Sequence, residues 1–219
     1  MSKPRCDCDR GYKVQIFDLD ESGNEITEWR ICHSCLQDSL KENRKVDMIA
    51  QCLNKDHINA DLETNFPKTH QKYRIQSNMF YGNPGIGKTY LMAALFKKDI
   101  EQNKKALFVS VPQLLREIKL CYEPNPDTSE SQVIKKYAEV KNLYLDDLGS
   151  EKATEWVLAT LYFIIDHRYR NKLRTNVTSN LKPNDIQKHI GERIASRLLG
   201  LCNPIEIKGK DKRVARIES

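Results

Sequence analysis

No apolar run in the 219 residues approaches the roughly 18 needed to suggest a membrane span. The opening MSKPRCDCDR also lacks the apolar stretch of a secretory leader, so the chain is expected in the cytoplasm with no membrane partner. Internal repeats and long low-complexity tracts are missing too. A disulfide framework is not expected either, because seven cysteines is an odd number and the expected compartment is reducing. Charge of one sign is only mildly in excess. The net +6, with 30% charged residues, suits a solvated basic surface or a polyanion partner equally well. Basic clusters at 168–174 (RYRNKLR) and 208–216 (KGKDKRVAR) lean toward the second. Hydrophobic residues make up 39% of the chain, enough to build a core for one good-sized domain and a small appendage.

Four of the cysteines are grouped. Cys6-x-Cys8 and Cys32-x-x-Cys35 bracket YKVQIFDL and EITEWRI, which read as two short strands joined by the turn-rich DESGN. This is the layout of a zinc ribbon, in which four thiolates hold strands too short to make a core of their own. The C-x-C spacing departs from the commoner C-x-x-C, and His33 could replace one cysteine. Cys52, Cys121 and Cys202 are scattered and read as packed or free. A catalytic zinc is not expected, since no open ligand set with a nearby base is present. After Cys35, LQDSLKENRKVDMIAQCL has the spacing of an amphipathic helix, with Leu36, Leu40, Met48, Ile49 and Leu53 among its apolar positions. We therefore expect a small module over 1–50, a polar lead-in or linker over 51–76, and a larger domain over 77–219.

The larger domain alternates strand and helix. Strands are predicted at NMFY, ALFVSV, NLYLDDL, TNVTSN and PIEIKG, and helices between them. The longest, ATEWVLATLYFIIDHRYRN, shows an apolar face of Trp156, Leu158, Leu161, Tyr162 and Ile165. Such alternation implies an α/β fold with a mostly parallel central sheet covered on both faces.

Between NMFY and the helix after it lies GNPGIGKT: Gly82, Asn83, Pro84, Gly85, Ile86, Gly87, Lys88 and Thr89. It satisfies G-x-x-x-x-G-K-[ST] in the strand–loop–helix context that the motif requires. Glycines let successive backbone N–H groups converge on phosphate oxygens, and the helix that follows adds its positive end. Lys88 is placed to reach the outer phosphates of ATP, and the Thr89 hydroxyl to ligate Mg2+. About sixty residues on, NLYLDDL ends in two aspartates. In a parallel sheet this end shares an edge with the phosphate loop. Asp146 is then expected to hold Mg2+, and Asp147 to orient or deprotonate the attacking water. Aspartate reaches less far than glutamate, so slow hydrolysis is expected.

GNPGIGKTYLMAAL, LYLDDLGSEKATEWVLATLYFIIDHRY, TNVTSNL and GERIASRL, in that order, closely resemble the ATPase domain of bacterial and phage helicase loaders of the DnaC/DnaI type. These are AAA+ P-loop ATPases related to the transposition ATPase IstB, and the resemblance spans about 77–217. It implies an ATPase that places a hexameric replicative helicase on single-stranded DNA during replication, with turnover stimulated by assembly or DNA. It further implies that Asn180 senses the terminal phosphate. Arg197, with Arg193 as second choice, would act as a finger completing the site of a neighbouring copy, and Arg213 would contact nucleotide in its own chain. Six residues follow Arg213, so only a reduced lid is expected. In the DnaI-like branch the N-terminal zinc module grips the helicase, the role expected here for 1–50. Lys119, Tyr122 and the 168–174 cluster are candidate DNA contacts. Two other readings are an ATP-holding adaptor of the helicase with negligible turnover and an IstB-like transposition ATPase.

Overall fold

The structure is a computed structural model that describes residues 13–19, 25–31, 33–53, 55–66, 72–124, 126–209 and 211, with side chains from residue 41 onward. The chain divides into two compact units, Met1–Met48 and Ile49–Ser219. In the first, β1 (Lys13–Leu19) and β2 (Glu25–Ile31) pair antiparallel, with Lys13 opposite Ile31 and Leu19 opposite Glu25. Helix α1 (His33–Cys52) follows, and the boundary between units falls inside it.

The second unit is built on a five-stranded parallel sheet: β3 (Asn78–Tyr81), β4 (Ala106–Ser110), β5 (Asn142–Leu148), β6 (Arg174–Ser179) and β7 (Asn203–Glu206), in the order β4-β5-β6-β3-β7. The helices between them are α3 (Lys88–Glu101), α4 (Val111–Leu120), α5 (Glu130–Glu139), α6 (Glu155–Arg170), α7 (Pro183–Ile190) and α8 (Glu192–Leu201). Side chains that alternate along a strand feed two separate cores. Met79, Leu143, Leu145 and Val177 face a cluster with α4 to α8, whereas Phe80, Ala106 and Tyr144 face one with α3. The predicted α/β class and parallel sheet are what the molecule has.

Two expectations need adjustment. The buried face of α6 consists of Val157, Thr160, Leu161, Ile164, Ile165 and Arg168, so the stripe is rotated from the predicted one and Trp156, Leu158 and Tyr162 lie at its margin. The buried face also takes in a charged residue, Arg168, that apolar periodicity does not mark. The segment read as a polar lead-in also contributes to the core. Leu53, Ala60 and Leu62 are buried against α3, and a short helix α2 (Leu62–Asn65) is capped by Asp61, whose carboxylate accepts from the Glu63 and Thr64 N–H groups at 2.9 and 2.8 Å. Among the described residues, no helix is long and apolar enough to cross a membrane.

Candidate functional site

All five strands run the same way, so the segments leaving β3, β4, β5 and β6 emerge along one edge. Residues 82–87 leave β3 there. Gly82, Gly85 and Gly87 have φ of 144°, 76° and 97°, a region side chains rarely enter. At Gly82 the requirement is also spatial: an added Cβ would lie 2.5 Å from the Ile207 carbonyl oxygen. Gly87 starts α3 without a side-chain cap, whereas Ser110, Ser129 and Thr154 cap α4, α5 and α6. The first-turn N–H groups of α3 thus remain available to an anion, next to the positive end of the helix.

Lys88 is 7% exposed. Its Nζ donates to the carbonyls of Gly82 and Asn83 at 2.8 and 2.7 Å and to Asn180 Oδ1 at 2.8 Å. Neutral oxygens hold the ammonium in the loop that is expected to receive phosphate. Asn180 in turn donates from Nδ2 to Asp147 Oδ1 at 3.1 Å. One amide therefore links the lysine of the loop to the second carboxylate of β5.

Asp146 Oδ1 accepts from Thr89 Oγ1 at 3.0 Å and from Thr178 Oγ1 at 2.5 Å. Burial lifts its carboxyl above the ordinary range. The hydrogen bonds from Thr178 and Thr89 pull against that rise, and the neighbouring Asp147 charge adds to it. The strand bulges at this point: Leu145 pairs with Val177 and Leu148 with Ser179, so Asp146 and Asp147 together oppose the single residue Thr178. Asp147 takes φ 59°, which aspartate tolerates better than most residues, and its N–H donates to Thr178 Oγ1 at 2.9 Å. Thr178 thus spans the bulge, donating to one aspartate and accepting from the other. The sequence carried no signal for this role, because only the fold sets the register of β6 against β5.

These groups line a cleft of about 810 Å³. Pro84, Gly85, Gly87, Lys88, Thr89, Asp146, Asp147 and Asn180 were all singled out beforehand. The lining also includes Asp56, His57, Asn65, Phe66 and Tyr90, from the lead-in segment and the first turn of α3, which the loop and acidic-strand motifs do not mark. The Tyr90 ring lies 5.9 Å from Phe66 and 6.3 Å from His57, and its hydroxyl donates to the Asn59 carbonyl at 3.3 Å and to Asn65 Oδ1 at 3.2 Å. Phe66 in an otherwise polar stretch was the only hint. The cleft suits a nucleoside triphosphate, since a glycine cradle, a buried lysine, an uncapped helix start and aromatic rings all line it or border it. The carboxylate of Asp146 and the hydroxyl of Thr89 are hard oxygen donors of the kind Mg2+ takes.

Arg197 does not line the cleft. It lies on α8, donating from Nε to Asp166 Oδ1 at 2.5 Å and from Nη1 to the Arg193 carbonyl at 3.1 Å, with its guanidinium 4.9 Å from the Tyr162 ring centre. Against a desolvation penalty, Arg197 and Arg170 hold the Asp166 carboxyl below its ordinary value. Arg193 is exposed. Arg213, Cys6, Cys8 and Cys32 lie outside the described residues, as do the side chains of His33 and Cys35. Among the described residues no group of three or more His, Cys, Asp or Glu is placed to hold a metal. Cys52, Cys121 and Cys202 are free thiols.

The basic cluster at 168–174 requires a correction. Arg168 is fully buried and donates to the carbonyls of Tyr137, Ala138, Val140 and Arg174 and to Thr175 Oγ1. Arg174 pairs with the buried Asp99, which also accepts from Tyr144 at 2.6 Å and Lys104 at 2.9 Å. Neither guanidinium is offered to DNA; the sequence shows the charge but not the carbonyls that consume it. Lys119 and Tyr122 remain at the surface, beside Trp156. Lys119 Nζ is 5.4 Å from that ring, and the indole N–H donates to the Tyr122 hydroxyl at 3.3 Å.

The sequence profile of the IstB-like ATP binding protein family matches residues 70–218. The replicative helicase loader DnaI of Bacillus subtilis (strain 168) is 28% identical over 164 residues, 68% of this chain and 52% of DnaI. The replicative helicase loader DnaC of Escherichia coli (strain K12) is 28% identical over 124 residues, 57% of this chain and 50% of DnaC. The chain spans about half the length of these two loaders. A crystal structure of the DnaC helicase loader superposes with a TM-score of 0.61 at 26% identity, covering 71% of this chain and all of that one.

Proposed function

The chain belongs to the IstB-like ATP binding proteins, and from that premise we propose that it is an ATP-hydrolysing loader placing a hexameric replicative helicase on single-stranded DNA. The observation that carries the nucleotide part is the meeting of Lys88, Asp146, Asp147 and Asn180 along one cleft. The helicase part rests on the likeness to DnaI and DnaC.

In this reading Lys88 exchanges the carbonyls of Gly82 and Asn83 for the outer phosphates, while the loop N–H groups take the inner ones. Thr89 and Asp146 would hold Mg2+, which would supply charge neutralisation for the phosphates. Asp147 orients the attacking water and is itself oriented by Asn180. When the terminal phosphate engages Asn180 or Lys88, the bridge to Asp147 is released, which makes Asn180 the sensor. His57, Phe66 and Tyr90 face the base and sugar. Arg197 completes a neighbouring copy's site, for which it must leave Asp166. Arg213 would contact nucleotide within the chain.

Zinc held by Cys6, Cys8, Cys32 and Cys35 would staple the first unit as the helicase grip. The β1–β2 register supports this, because the chain enters at Lys13 opposite where it leaves at Ile31. Cys6, Cys8, Cys32 and Cys35 also favour a loader over an IstB-like transposition ATPase, which would carry a helical N-terminal extension without zinc. Lys119, Tyr122 and Trp156, with the exposed Arg170 and Lys172 of the 168–174 cluster, are the remaining DNA contacts to test.

An adaptor that holds ATP with negligible turnover stays in view for one reason. Asp147 is short, and Asn180 already occupies one of its carboxylate oxygens. The deciding experiment measures ATP hydrolysis, with and without single-stranded DNA, beside helicase capture and loading. Wild type should hydrolyse and load. Lys88→Ala should capture helicase without loading it, and Arg197→Ala should bind ATP but lose stimulated turnover. Loading by a wild type that hydrolyses nothing would favour the adaptor.

A further inference from the structure

The turn that follows β5 is held by a carboxylate that the site itself does not use. Asp147 and Gly149 both take positive φ, 59° and 93°. That conformation is costly for aspartate and persists only where the surroundings fix it. The Asp147 carbonyl accepts from Ser150 N–H at 3.3 Å and from Ser150 Oγ at 2.8 Å, which closes a turn over 147–150. Inside that turn, Gly149 N–H donates to Glu151 Oε2 at 3.0 Å.

Glu151 does not serve the helix that follows. The first turn of α6 has its own acid, Glu155, and its own cap, Thr154. Nor does the carboxylate turn fully to solvent: Oε1 is buried, with no hydrogen-bond partner among the described residues. The fold carries this half-paired group for one bond to Gly149. Around that bond the chain closes a frame. An added Cβ at Gly149 would lie 2.7 Å from Leu181 Cδ1, so the turn rests on Leu181. Leu181 follows Asn180, whose Nδ2 donates to Asp147 Oδ1. From there α7 runs to His189, whose Nε2 donates to the Glu151 carbonyl at 2.9 Å. Asp147 and Asn180 thus meet beside a turn that Glu151 pins through both its side chain and its backbone.

We propose that Glu151 is a positioning residue for hydrolysis, setting the turn over 147–150 and with it the placement of Asp147 against Asn180. This rests on the reading of Asp147 as the group that orients the attacking water. Glu151 is not among the residues lining the cleft, so ATP binds as well without it. It governs the direction from which the Asp147 carboxylate meets water, and that acts on turnover.

The test compares steady-state ATP hydrolysis with calorimetric Mg·ATP binding in the full chain, well below the lowest thermal midpoint. The variants are Glu151→Ala, Glu151→Gln, Asp147→Asn and the double variant carrying Glu151→Ala with Asp147→Asn. Glu151→Ala should lower kcat about tenfold and leave KM and the binding constant within about twofold. Glu151→Gln, whose amide oxygen can still accept from Gly149, should recover most of that loss. In the double variant Glu151→Ala should cost nothing beyond Asp147→Asn, because it acts through that residue. Full turnover by Glu151→Ala, additive losses in the double variant, or Glu151→Gln as slow as Glu151→Ala overturns the proposal. So does a fall in binding that matches the fall in turnover, which would mark a merely structural role. Wild type that hydrolyses nothing, or Asp147→Asn as fast as wild type, brings down the reading of Asp147 and this proposal together. A slow Asp147→Asn beside an unaffected Glu151→Ala brings down only the proposal.

Discussion

At the starts of β5 and β6, polar side chains are consumed by the fold; at their ends, similar side chains border a cleft. Asn142, Arg174 and Thr175 open the two strands, and with Arg168 and Asp99 they bond to backbone carbonyls and to one another. Asp146, Asp147, Thr178 and Asn180 close the strands or follow them, and there the partners are less complete. Two adjacent carboxylates share a desolvated bulge, and Asp146 is lifted above its ordinary pKa as a result. The first assembly holds a cation in a cage of carbonyl dipoles. The second holds anions whose mutual repulsion a divalent cation would relieve. Polar residues thus serve stability where the protein supplies their partners, and function where a ligand must.

The comparison can be broken most forcefully at Arg168. Burial pulls its pKa down to about 10, so it stays charged at neutral pH, and five acceptors depend on it. Arg168→Ala should cost about 3–5 kcal/mol in chemical denaturation, because it orphans those acceptors. A loss under about 1 kcal/mol would show the cage to be dispensable. At the other end, Thr178→Val removes the donor to Asp146 and the acceptor for the Asp147 N–H. It should cost about 1–3 kcal/mol and weaken Mg-dependent nucleotide binding, measured by the same denaturation and by calorimetry. Asp146→Asn should do the opposite to stability. Removing the desolvated charge should raise the thermal midpoint of the nucleotide-free protein by a few degrees, about the effect of 1 kcal/mol, while abolishing the benefit of Mg2+. A lowered midpoint would contradict the picture of unrelieved charge.

The smallest effect concerns Cys202, buried beside the Thr175 carbonyl at 3.3 Å. Burial pushes its thiol up to about 12 from an ordinary 9.0, so the fold favours the neutral form. The associated stability is fully present below pH 9 and is lost as pH rises toward 12. Relative to Cys202→Ala, in which other titrations cancel, wild type should lose about 1 kcal/mol between pH 8 and pH 10. An unchanged difference would show that the thiol is not held away from water.

The alternation of strands and helices made the sheet legible from 78 onward, and the loop and acidic strand made part of the cleft lining legible too. Both are local patterns: a period of two, a glycine spacing, an apolar run ending in carboxylates. The rest depends on tertiary partners. Arg168 looked like a surface cation because nothing in RYRNKLR reveals four converging carbonyls. Residues 54–66 looked like a linker because Ala60 and Leu62 are too sparse to show a period, although both pack on α3 and the segment carries His57 and Phe66 to the cleft. Thr178 acquired its role only from the bulge opposite it. Arg197 could be named from its motif, but not its pairing with Asp166 across two helices.

The central claim is that Lys88 and Asp146 grip one Mg·ATP between the loop after β3 and the end of β5. It is tested most directly by calorimetric titration of ATP, with and without Mg2+, into wild type, Lys88→Ala and Asp146→Asn. The account predicts one site in wild type, a loss of about a hundredfold or more in Lys88→Ala, and a Mg2+ dependence that disappears in Asp146→Asn. Wild type without heat of binding, or Lys88→Ala binding as tightly as wild type, would contradict it.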